Sequence, residues 1–206
     1  MLAGGRALRM SGADKPGLDV GGTAMLISVA RAIAAAGCQR LIVVGPQRGG
    51  AVASGLAEVA ERLPGALMVV REDPPGSGPV PALRCGLPEV TASSLLLLAA
   101  DLPFLTGAEL TGLRQLAAGA GDAAGAVLAD MTGQPQWLVS CWQTAKLRAA
   151  LDDYQGASLR GLLAPLRPAV LHVQVADGRP APWLDCDTPA DLAAARARLS
   201  TSAEGS

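Results

Sequence analysis

Residues 94–103 read Ser94-Leu95-Leu96-Leu97-Leu98-Ala99-Ala100-Asp101-Leu102-Pro103, and the fold reads most directly from them. The run is uninterruptedly apolar from Leu95 to Ala100, far too short to cross a membrane and closed by a proline. A run of that length, apolar on both faces, is the pattern of a strand buried between two layers of helix. Asp101 then falls at the carboxyl end of the strand. In open α/β sheets, ligands gather at that edge.

Working outward, helix and buried strand alternate along the chain. Ala24 to Ala36 reads as an amphipathic helix stopped by Gly37, and Leu41 to Val44 as a short buried strand ending in Gly45-Pro46. Ala51 to Leu63 is helical, and Ala66 to Val70 is a strand. Glu72 to Gly78 (EDPPGSG) must be a loop. A short helix is expected from Pro79 to Glu89. Another, capped by Thr106, runs through Leu116. Two strands follow at 123–129 and 136–142, then two short helices at 144–151 and 158–163. Ala169 to Val175 is a strand, Trp183-Leu184-Asp185 a further short one, and Thr188-Pro189 opens a last helix to about Leu199. The alternation predicts an α/β fold with a mostly parallel, Rossmann-like sheet and helices on both faces. Residues 1–199 are expected to form one domain and 200–206 a flexible tail.

Composition narrows the function. The 206 residues are 50% hydrophobic and 17% charged, with 17 basic against 18 acidic side chains and a net charge of −1. That balance leaves no basic footprint for nucleic acid or an anionic membrane. The few aromatic residues rule against a stacking platform and leave a core of Leu, Val, Ala and Ile. The start has neither basic nor apolar leader regions, so no signal peptide is expected, and no run is long enough for a membrane span. A cytoplasmic protein is therefore expected. Cys38, Cys85, Cys141 and Cys186 form no Cys-x-x-Cys pair and are expected to remain free thiols.

Three segments carry candidate chemistry. At the amino terminus, Leu2-Ala3-Gly4-Gly5 puts two flexible residues where a backbone can approach a phosphate closely. Arg9 and Lys15 add two cations on the same loop. Lys15 and Lys146 are the only lysines in a chain that otherwise uses arginine, and a compact ammonium suits a phosphate oxygen. Neither a Walker loop nor a GxGxxG fingerprint is present. Asp101 is placed to hold Mg²⁺, or to cap the turn before Pro103. In Asp185-Cys186-Asp187-Thr188-Pro189 the two carboxylates point the same way in an extended segment, so they could share a metal. Equally, Asp187 could cap the last helix. Asp73 could accept hydrogen bonds from a nucleotide or close an Asx turn. The only histidine, His172, lies within a strand, so no nucleophile–histidine system is expected.

Four stretches together carry a resemblance: LAGG-x3-RM-x3-DK, EDPPGSGPVPAL, AADLPFLT and DCDTPADL. In order and spacing they resemble the nucleotidyltransferases of the molybdenum cofactor guanylyltransferase family. That resemblance implies transfer of a nucleoside monophosphate to a phosphorylated acceptor, with release of pyrophosphate. The nucleotide would be GTP, since Gly4-Gly5 resembles the guanylyl branch, with CTP the alternative. The acceptor would be molybdopterin, and enzymes that make or accept the cofactor would be partners. The backbone of Leu2, Ala3, Gly4 and Gly5 would hold base and phosphates. Arg9 and Lys15 would stabilise the departing pyrophosphate, Asp73 would help bind the nucleotide, and Asp101 would hold Mg²⁺ with Asp187 as a second ligand. In the family a hydrophobic strand precedes LAGG. Here Met1 stands where that strand ends, so either several residues precede Met1 or the site is impaired. A non-catalytic nucleotide-binding or partner protein of the same fold is the competing expectation.

Overall fold

A computed structural model describes residues 1–4, 15–176, 178–186 and 188–203, and the side chains of those up to 197. Eight strands and seven helices are defined among them. A two-residue hairpin, β1 (Asp19–Val20) and β2 (Thr23–Ala24), leads into α1 (Met25–Ala35). Then follow β3 (Leu41–Val44), α2 (Gly50–Ala60), β4 (Leu67–Val70), α3 (Pro79–Gly86), β5 (Ser94–Leu98) and α4 (Gly107–Gly119). The second half holds β6 (Gly125–Ala129), β7 (Pro135–Gln143), α5 (Thr144–Asp153), α6 (Leu159–Leu163), β8 (Ala169–His172) and α7 (Pro189–Ala203).

The sheet is mixed. β3 and β4 pair in parallel, and β6 and β8 pair in parallel. β7 runs antiparallel between β5 and β6, with a bulge at Val127/Leu128. The short loop 130–134 after β6 dictates that reversal, since adjacent parallel strands need a crossover of a dozen or more residues. Two segments depart from expectation. Trp183 lies in a turn rather than a strand, and the bound of α7 falls at Ala203, past the expected end at about Leu199.

Met1–Ala3 join the two halves of the sheet. Leu2 N–H donates to Leu98 O at 2.7 Å, and Ala100 N–H donates to Leu2 O at 3.0 Å. On the other side Ala3 N–H donates to Val44 O at 2.7 Å, and Val44 N–H donates to Met1 O at 2.9 Å. The terminal amine itself donates to Ile42 O at 2.9 Å. The sheet order is therefore β4-β3-(Met1–Ala3)-β5-β7-β6-β8. The expected first strand is represented only by these residues. Beneath Met1, β3 and β5 flank a groove of about 440 Å³.

Alternation along the strands feeds two cores. Leu96 and Leu98 face α1, α2 and α4, together with Met1 and Ala3. Leu95 and Leu97 face α3, α5 and α6, together with Leu2. A third cluster, of Val20, Met25, Phe104, Cys186, Leu192 and Ala195, clamps α7 onto the hairpin and onto the loop after Asp101. The start of α7 is capped by Thr188 and Asp191: Thr188 N–H donates to Asp191 Oδ2 at 2.8 Å, and Asp191 N–H returns to Thr188 Oγ1 at 3.2 Å. The two residues form a reciprocal box, while Asp187, the expected cap, lies outside the described residues.

Candidate active site

At the carboxyl ends of β4 and β5, beside the first half of β7, the sheet opens into a cavity of about 830 Å³. Leu2 and Gly4 line it from the short central segment, and Asp101 from the turn after β5. Lys15 enters from the one-turn helix Lys15–Gly17, and its ammonium donates to Asp101 Oδ2. Their side chains are only 13% and 20% exposed, so this pair lies largely out of bulk water. The clamp by α7 explains the meeting across 86 residues of sequence: it packs on the segments that follow both residues.

Ala3 is buried, and its carbonyl accepts from Arg48 Nη2 at 2.8 Å, which brings a second cation to the glycine segment. Asp185 and Trp183 line the same cavity, facing Trp137 of β7 and Arg160 of α6. Gly5, Arg9 and Asp187, all expected in the site, lie outside the described residues.

A second hollow of about 490 Å³ adjoins the first, and Gly4 and Glu72 belong to the walls of both. Of the adjacent acids Glu72 and Asp73, it is Glu72 that reaches both walls. Asp73 is exposed and lines neither hollow. Glu72 is 6% exposed and accepts the Gly76 N–H through Oε2 at 2.8 Å. The signal was available in the strand phase. Val69, Arg71 and Asp73 are exposed while Met68, Val70 and Glu72 face inward, so the period of two simply continues past the end of β4.

Glycine is required at two of these positions. A Cβ on Gly4 would lie 1.6 Å from Glu72 Oε1. Gly45 has φ +154°, and a Cβ there would meet the Ala3–Gly4 backbone at 2.8 Å.

No described set of three or more His, Cys, Asp or Glu side chains forms a metal cage. Asp101 and Asp185 nevertheless supply hard oxygen donors to one cavity. That fits a magnesium ion whose remaining ligands are phosphate oxygens and water. All four cysteines are free, and burial pushes the Cys141 and Cys186 thiols up to about 11, which disfavours these two as nucleophiles.

Comparison with known proteins agrees with this architecture. Two curated relatives, each described as a probable molybdenum cofactor guanylyltransferase, come from Synechococcus elongatus and Synechococcus sp.. Each is 38% identical over 116 residues, 56% of this chain, and the chain spans about half the length of these relatives (55%). A nucleotidyl transferase structure from Methanothermobacter superposes with a TM-score of 0.71 at 21% identity, covering 98% of this chain and 96% of its own. Molybdopterin-guanine dinucleotide biosynthesis protein A from Archaeoglobus fulgidus gives 0.64 at 22%, covering 97% of each. A UDP-glucose pyrophosphorylase from Acinetobacter gives 0.70 at 15%, covering 95% and 90%. At these identities the structures establish the nucleotidyltransferase fold. Residues 1–170 match the MobA-like NTP transferase domain, and the chain belongs to that family.

Proposed function

We propose that this protein transfers GMP from GTP to a phosphorylated acceptor, molybdopterin, and releases pyrophosphate. The observation that carries the reading is the contact between Lys15 and Asp101 at the floor of the larger cavity, beside the backbone of Gly4. A cation, a carboxylate and a side-chain-free backbone at a sheet's carboxyl edge are the components that a magnesium–triphosphate complex requires. The volume is also that of an ordinary small-molecule site.

Lys15 holds non-bridging phosphate oxygens and offsets the charge that builds on the leaving pyrophosphate. Asp101, with Asp185 beside it, would hold Mg²⁺, which when bound withdraws charge from the phosphate oxygens. An oxygen of the acceptor's terminal phosphate forms a bond to the α-phosphorus as the bond from that phosphorus to the bridging oxygen breaks. The electron pair leaves with pyrophosphate. No side chain is required as a covalent carrier, so the protein contributes alignment and charge compensation. Trp137 and Arg160, which line the same cavity, provide an apolar face and a cation for the acceptor.

Pyrophosphate release measured with GTP, CTP, ATP and UTP, with molybdopterin and magnesium present, tests this reading. Release is expected with GTP only when the acceptor is present. Asp101→Ala is expected to lower turnover at least ~100-fold, the order lost with one electrostatic group of a transition state, in a chain that still folds by circular dichroism though with a lower melting temperature, because Lys15 loses its partner. Turnover retained in that variant refutes the role of Asp101.

A further inference from the structure

Glu72 is a carboxylate more than nine-tenths buried, and it has no cationic partner among the described residues. Its Oε2 is used by the Gly76 N–H, whereas Oε1 accepts no hydrogen bond from a described residue and lies over the backbone of Gly4. A buried carboxylate is costly unless donors are brought to it. The hollow beside it is walled by Gly4, Gly45, Pro46, Pro75 and Gly76, which present flat backbone and ring surfaces, together with the exposed Arg71, whose guanidinium is itself planar. Such walls fit a planar heterocycle. The shared wall at Gly4 and Glu72 leads from this hollow directly to the cavity that holds Lys15 and Asp101.

We infer that Glu72 selects the nucleobase by accepting hydrogen bonds from adjacent ring N–H and exocyclic amino donors, and so favours guanine. The inference rests on the reading that the phosphates lie at Lys15 and Asp101. The chemistry of the bases decides which one fits. A carboxylate only accepts. Guanine offers it two neighbouring donors, N1–H and the 2-amino group. Adenine and cytosine place a ring acceptor beside their amino donor, and uracil flanks its single N–H with two carbonyls. Each of these would set lone pair against lone pair. A site whose buried polar group is left unpaired discriminates far more strongly than one that merely lacks a contact.

The competing role for Glu72 is purely local, as the staple that holds the loop through Gly76. Equilibrium competition binding separates the two roles. It uses the whole chain with magnesium and no acceptor, and GTP, ITP, XTP, ATP and CTP as competitors. Wild type is expected to bind GTP ~10-fold more tightly than ITP, which lacks only the 2-amino group, and more tightly still than XTP, ATP or CTP. Glu72→Gln keeps an oxygen for the Gly76 N–H but turns an amide donor toward the base. It is expected to lose GTP affinity and to favour XTP, whose 2-oxo group accepts, so that the order of GTP and XTP inverts. Its melting temperature should stay near wild type. An equal loss for all five nucleotides, or no change in their order, overturns the assignment to Glu72 and leaves nucleotide binding at Lys15 and Asp101 standing. Failure of the wild-type chain to bind any of the five overturns both.

Discussion

The 206-residue chain, prepared with Met1 as its first residue, buries a terminal amine in the middle of the sheet, and the expected effect of pH on its stability follows from that burial. The terminal amine donates to Ile42 O at 2.9 Å within the first core cluster, and burial lowers its pKa from 8.0 to about 5. The neighbouring Cys38 thiol acts weakly in the opposite direction. In the unfolded chain the amine has its ordinary value. Between about pH 5 and pH 8 the unfolded state therefore binds more protons than the folded one, and stability rises with pH across that window. Three pH units correspond to about 4 kcal/mol, a large share of a domain's usual net stability of about 5–15 kcal/mol. Urea unfolding at constant ionic strength and several pH values between 5 and 8.5 measures the slope, expected to approach about 1.4 kcal/mol per pH unit within the window. The same series on a chain acetylated at Met1 isolates the amine, because the acetyl amide still donates to Ile42 O but cannot be protonated. The difference between the two series should vanish above about pH 8. Identical slopes in both chains would refute the reasoning.

Two other outcomes follow from the packing. Gly4→Ala places a methyl group 1.6 Å from Glu72 Oε1, so the carboxylate must leave its bond to Gly76. A loss of about 1–3 kcal/mol, with weakened nucleotide affinity, is expected in thermal unfolding and binding titrations, and an unchanged melting temperature would contradict it. Cys141 and Cys186, buried and with thiols near pKa 11, should resist alkylation by iodoacetamide at pH 7 in the folded protein and react only on unfolding. Mass spectrometry of the labelled peptides reads this directly, and labelling of either in the folded state at the rate of a free thiol would refute it.

Much of the local structure was legible because its causes are local. Short apolar runs bounded by glycine, proline or aspartate became β3, β4 and β5 within a residue or two. Thr106, expected as a cap, forms a reciprocal box with Glu109, and its N–H donates to Oε2 at 2.9 Å. Failures came where the deciding contact is distant. Trp183-Leu184-Asp185 has strand-like composition, but finds no neighbouring ladder and forms a turn, with Leu184 N–H donating to Ala181 O at 3.1 Å. At 72–73 the reading singled out Asp73 as a nucleotide ligand or an Asx-turn residue and passed over Glu72, which the pleat of β4 turns inward.

By itself the sequence determined the layer architecture, the carboxyl-edge position of Asp101 and the glycine segment opposite it, since periodicity and chain-breaking residues act within a few positions. Tertiary structure alone decided that Met1–Ala3 bridge two half-sheets, that β7 inserts between β5 and β6, and that Lys15 reaches Asp101 across 86 residues. Hydrogen-bond ladders and ion pairs form between groups far apart in the chain. Which partners meet is set by how the helices close over both faces of the sheet, and no local pattern encodes that.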